Sequence, residues 1–140
     1  MEYICDAPDG MTWFRLVTEG EAEAESREMG HAVAKYFRRE RERAAETFVP
    51  LSTVFFEQEI GREAHIKRHM PLFVTLRDED GVAHVTAMLP AGGKADRGFT
   101  PIVVGPGNAD PYPAHGPAIR ALADHFGLTL DRARCYPYRR

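Results

Sequence analysis

The sequence predicts an α+β fold for residues 1–140: an antiparallel sheet of 4–6 strands, with a long helix packed on one face and a shorter C-terminal helix. Three features carry this prediction. Two Asp-Gly dipeptides, Asp9-Gly10 and Asp80-Gly81, sit between runs rich in apolar and β-branched residues, as hairpin turns do. A stripe of apolar residues at spacings of three and four runs from Thr18 to about Phe48. Near the carboxyl end, Pro117 and Gly127 bracket a shorter stretch of the same periodicity.

The amino-terminal hairpin comes first. A type I′ turn needs positive φ at both central residues, which Asp-Gly tolerates. A two-residue turn there would set Cys5 opposite Phe14 and Tyr3 opposite Leu16, giving one apolar face. Thr18 and Glu21 then read as a capping box, in which the Thr18 oxygen accepts from an N–H of the first helical turn and the Glu21 carboxylate reaches back to the cap. From it Ala22, Ser26, Met29, Val33, Tyr36, Phe37, Ala44 and Phe48 align on one helix face, interrupted only by Glu40. Val54–Met70 suits two readings. Phe56, Ile60 and Ala64 keep helical spacing and Pro71 would stop a helix, whereas Gly61 and Val54-Phe55-Phe56 suit a strand; the helix is preferred.

The second hairpin joins Leu72–Asp78 to Val82–Leu89. Its register pairs Leu76 with Val85, Val74 with Ala87 and Leu72 with Leu89 on one face. The other face pairs Phe73 with Met88, Thr75 with Thr86 and Arg77 with His84. The first face is core-like and the second mixed, as in an antiparallel sheet covered on one side only. Ala91–Gly98 reads as a polar loop and Pro101–Gly105 as a strand. The thirteen residues Gly105–Pro117 hold four prolines and three glycines and read as a stiffened loop. A helix then runs from Pro117 to Phe126 with Gly127 as its stop, and Leu128–Tyr136 closes the sheet ahead of an Arg139-Arg140 tail.

Composition excludes several classes. Hydrophobic content of 44% and charged content of 28% match globular chains and argue against disorder. No apolar run approaches a membrane span, and Met-Glu-Tyr-Ile-Cys-Asp does not open as a secretory signal does. Cys5 and Cys135 cannot build a disulfide framework and read as reduced thiols, so a cytoplasmic location is expected. The net charge of −3 argues against a nucleic-acid partner, although Lys35, Arg38, Arg39, Arg41 and Arg43 crowd one half of the long helix. Glu19, Glu21, Glu23 and Glu25 crowd the other half, a polarity that complements the helix dipole.

Candidate chemistry is sparse. Glu40 is the carboxylate that breaks the apolar stripe; such a group is a candidate general acid or base, or the partner of an arginine. His65 and His69, one helical turn apart, have a spacing that can share a metal, but no Cys or Asp joins them and Lys67 and Arg68 would repel a cation. Lys94 and Arg97 lie in a glycine-rich loop that lacks the Ser or Thr of a Walker motif, and read either as a weak anion contact or as solvated side chains. His115 and Gly116 are carried to a helix N-terminus by the proline-rich loop, where an anion would be favoured. Neither serine, Ser26 or Ser52, lies in a turn that would expose a nucleophile. No cofactor is expected.

With Val54–Met70 helical, the element order resembles that of the GNAT acyltransferases. Gly116-Pro117-Ala118 resembles the Gly-x-Gly/Ala step with which that family holds the acyl-CoA pyrophosphate. Pro113 stands where the family has a basic or amide residue, and Pro117 removes one N–H from the cradle. The resemblance implies a degenerate acyltransferase using the 105–117 loop as its anion site. The residues themselves favour another reading: a small regulatory module acting through protein contacts, as a homodimer, with the Phe73/Met88 sheet face as its interface.

Overall fold

Both Asp-Gly dipeptides turn hairpins in the computed structural model, which describes residues 1–137. β1 (Glu2–Asp6) and β2 (Thr12–Arg15) form the first; β3 (Leu72–Arg77) and β4 (Ala83–Leu89) form the second. With β5 (Ile102–Val104) they make one antiparallel sheet in the order β1-β2-β3-β4-β5. Four helices accompany it: α1 (Glu19–Met29), α2 (Val33–Glu46), α3 (Phe55–His69) and α4 (Tyr112–Phe126). The fold is α+β, and no described helix is long and apolar enough to cross a membrane.

The second hairpin keeps its predicted register from Leu72–Leu89 to Leu76–Val85, then slips, so Arg77 lies opposite Ala83 rather than His84. Gly81, at φ 80°, takes the left-handed position after a turn closed by its N–H on the Asp78 carbonyl. The Asp78 carboxylate accepts from the Asp80 and Val82 N–H groups, which fixes this longer turn.

The first hairpin departs further. Asp9 and Gly10 both have positive φ, as the turn requires. The Met11 carbonyl, however, accepts from Ala7, because Pro8 has no N–H to offer. A second slip follows at Ile4, so Cys5 faces Trp13 and Tyr3 faces Phe14. The expected Cys5–Phe14 and Tyr3–Leu16 pairs do not form. Trp13 is buried in their place, and its indole N–H donates to the Ala118 carbonyl at 2.8 Å.

The long helical stripe is delivered by two helices. Gly30 ends α1 in the left-handed region at φ 65°, and the chain folds back through His31 and Ala32. Met29 to Val33 is a step of four, so the stripe crosses the corner without losing phase. Folding back sets the acidic half against the basic half: Arg38 lies 3.4 Å from Glu19 and 3.5 Å from Glu23. Ser26 Oγ accepts from the Ala34 N–H at 2.8 Å and caps α2 from within α1.

Residues 55–69 are helical, as preferred, and Met70-Pro71 ends the helix. The helix expected from Pro117 is continuous with a first turn at Tyr112–Ala114, joined through His115, whose φ of −128° is not helical. Leu128–Tyr136 is not a strand. Leu130 is buried and its carbonyl accepts from the Tyr112 hydroxyl, a 3₁₀ turn occupies Arg132–Arg134, and only Tyr136 bridges to Ile102. The strand that completes the GNAT-like order is therefore replaced by this turn. Arg139 and Arg140 lie outside the described residues.

Helices cover both sheet faces, which corrects the one-sided expectation. α4 packs on Trp13, Leu72, Val74, Leu76 and Val85. The α1–α3 layer packs on Phe73 and Met88, with Phe37 and Phe73 ring centroids 5.2 Å apart. Phe73 is 1% exposed and Met88 9%, so this face is core and cannot be the expected interface.

Candidate functional site

The corner between α1 and α2 positions the most concentrated polar chemistry of the chain. Glu25 lies one helical turn before Met29 on the buried face of α1 and is fully buried. An isolated carboxylate there would be costly, and two partners satisfy it. Arg77 Nη2 donates to Glu25 Oε1 at 2.5 Å, and Thr86 Oγ1 donates to Oε2 at 2.5 Å. Arg77 also donates to Thr75 Oγ1 and lies 3.6 Å from Glu28. Every buried side-chain polar atom among the described residues has a partner.

The relay continues to His31, whose Nε2 lies 2.8 Å from Thr86 Oγ1. Its Nδ1 accepts from the Val33 N–H at 3.4 Å, at the start of α2. Those partners assign the proton: Nδ1 faces a donor, so Nε2 carries the hydrogen and donates to Thr86, whose own hydrogen goes to Glu25. Burial pulls the His31 pKa below its ordinary value of 6.5, so the ring is neutral at pH 7.

His31 and Thr86 open onto a cavity of about 210 Å³ between α2 and the β4–β5 part of the sheet. Its walls are Val33, Phe73, Met88, Ile102 and Val104, with Tyr136 and Pro137 beside them, and among the described residues no Asp, Glu, Lys or Arg lines it. The exposed residues Ala32, Tyr36 and Asn108 form its rim. An apolar cleft with a few convergent polar atoms is the usual form of a small-ligand site.

The second feature is a surface. Val49, Leu51, Val54, Phe55, Phe56 and Ile60 are all more than half exposed, Leu51 completely so. They occupy the α2–α3 connection and the first turns of α3. Beside them a groove of about 490 Å³ is lined by Phe48, Val49, Leu51, Gly61, Ala64 and His65.

The residues singled out in the sequence fall elsewhere and apart. Glu40 sits on α2 with its side chain 13% exposed, and its Oε1 accepts from Arg39 and Arg43 at 3.3 and 3.2 Å. The paired reading of this carboxylate describes its surroundings. His65 and His69 stack at 4.3 Å, and His65 Nε2 bonds Thr47 Oγ1; among the described residues no three His, Cys, Asp or Glu side chains group to hold a metal. Lys94 and Arg97 are exposed beyond the end of β4, while His115 stacks on His84 at its start. About 20 Å of strand separates these ends, so the four anion candidates do not converge. Burial and the neighbouring His84 lower the His115 pKa, which weakens it further as an anion contact.

Glu25, His31 and Thr86 escaped the sequence reading. A signal for Glu25 was present: it lies three residues after Ala22 and four before Met29, on the buried stripe itself. Comparison with protein families, characterised proteins and solved structures gives no match to this chain.

Proposed function

We propose that this protein is a small cytoplasmic regulatory module that acts through protein contacts, as a homodimer joined across α3. The observation that carries the reading is the ridge of six exposed apolar side chains from Val49 to Ile60. Contiguous apolar surface of this kind marks interaction sites. Its shape supports a second copy as the occupant, because α3 carries both a projection, Phe55 and Phe56 in its first turn, and a groove lined by Gly61 and Ala64 further along. A two-fold axis places each projection in the other copy's groove. The free thiols of Cys5 and Cys135 fit a reducing compartment.

Light scattering across a concentration series tests this. We expect a dimer at tens of micromolar, converted to a monomer by Phe56→Glu with unchanged circular dichroism. A wild-type protein that stays monomeric at several hundred micromolar would refute the reading.

A further inference from the structure

The cavity behind His31 invites an occupant of its own, on the opposite end of α2 from the ridge and independent of it. Its size bounds the ligand. An apolar cavity of about 150 Å³ takes up a benzene, so one of about 210 Å³ admits a substituted single ring or a compact bicycle. Its walls bound the polarity. Phe73, Met88, Ile102 and Val104 offer aromatic, thioether and aliphatic contact, and no charged side chain among the described residues lines the space.

The relay bounds the hydrogen bonding. Glu25 spends its two oxygens on Arg77 and Thr86, and its charge is balanced by that arginine. Thr86 Oγ1 accepts one hydrogen from His31 and donates its own to Glu25, which leaves one lone pair. At its Thr86 end the cavity can thus accept one hydrogen bond. A carboxylate or phosphate would meet that lone pair with another, and would find no cation among the described lining residues to offset its desolvation.

We propose that this cavity binds a neutral aromatic molecule of one substituted ring or a compact bicycle, its ring against Phe73, Met88 and Ile102 and its single hydroxyl or N–H donated to Thr86 Oγ1. The relay through Glu25 and Arg77 then serves as the anchor that holds Thr86 in an accepting posture.

Titration of the full chain, followed by ¹H–¹³C methyl and ¹H–¹⁵N amide spectra, tests the proposal with 4-methylphenol and indole as donors. Toluene is the ring without a donor and 4-methylbenzoate the anion. The expected result is saturable shifts at Val33, Met88, Ile102 and Val104, with 4-methylphenol tighter than toluene by about fivefold, the worth of one hydrogen bond. Thr86→Val should erase that preference, and Ile102→Trp, which fills the cavity without touching the relay, should abolish binding of all four probes. Absence of saturable shifts with about 5 mM of either donor would overturn the proposal. Tighter binding of 4-methylbenzoate than of 4-methylphenol, or donor binding unaffected by Ile102→Trp, would do so equally. None of these outcomes depends on the oligomeric state.

Discussion

Replacing Glu25 by Gln keeps the side chain's shape and changes only its charge and its hydrogens, which isolates the relay. The amide oxygen can take one partner, and Arg77 is the stronger claimant. The amide NH₂ then points at Thr86 Oγ1, which already receives the His31 hydrogen. The Thr86 hydrogen loses its acceptor and is left with His31 Nε2, which must give up its own proton. Protonating Nδ1 instead aims that hydrogen at the Val33 N–H. A charge-assisted bond is worth about 1.5–3 kcal/mol, and a mispaired buried donor costs about 1–3 more. Glu28, 3.6 Å from Arg77, recovers part of the first. We expect a net loss of about 3 kcal/mol, which at this chain length lowers Tm by roughly 10 °C. Glu40→Gln, whose partners Arg39 and Arg43 are both exposed, should cost about 0.5 kcal/mol or less, under ~2 °C. Calorimetry gives both values, and the His31 ring ¹⁵N shifts report the tautomer. Equal Tm values for the two variants, or a Glu25→Gln protein that keeps the Nε2–H tautomer at full stability, would show that the relay does not hold the fold.

Acid should weaken the fold through its histidines before its carboxylates. Burial depresses His31, and burial with the neighbouring His84 depresses His115, so the unfolded chain binds these protons first as pH falls. The stability held by the neutral rings is complete above pH 6.5 and is lost as pH drops through their folded pKa values. Tm should decline between pH 7 and 5, and His31→Gln should flatten that slope; a Tm independent of pH across this window would contradict it. Glu21 and Glu63, held below 4.5 by a bond from the amino terminus and by Arg41 respectively, titrate lower and leave the window clean. Gly93→Ala should cost about 2–4 kcal/mol, since Gly93 has φ 67° and an added Cβ would run into the Phe126 ring. A melting curve unchanged by that substitution would show that the 91–93 turn does not seat on α4.

The sequence makes the second hairpin legible over five pairs, from Leu72–Leu89 to Leu76–Val85, because the alternation leaves one register that segregates Leu76, Val74 and Leu72; the slip at Arg77 follows from a turn longer than Asp80-Gly81 alone. It also carries the α3 boundary at Pro71 and the Gly127 stop. The α1–α2 corner was hidden by a numerical accident: a four-residue step across Gly30 preserves the helical phase that the turn interrupts. The first hairpin went astray because periodicity does not register the N–H that Pro8 lacks. The site was the least legible part. Glu25, Arg77 and Thr86 are separated by 52 and 61 residues, and what marks Glu25 as special is the company it finds only after folding.

The slip at Ile4 bears on what this protein avoids becoming. β1 runs along one margin of the sheet with no described strand beyond it, and straight margins of that kind recruit further chains into fibrils. Here an extra residue at Ile4 bends the margin out of line, and Glu2 and Asp6 place like charges at its two ends. The other margin is only three residues long and is already clasped by Tyr136. A monomer guarded in this way has little route to open-ended stacking, and contacts made through its helices can close on themselves instead.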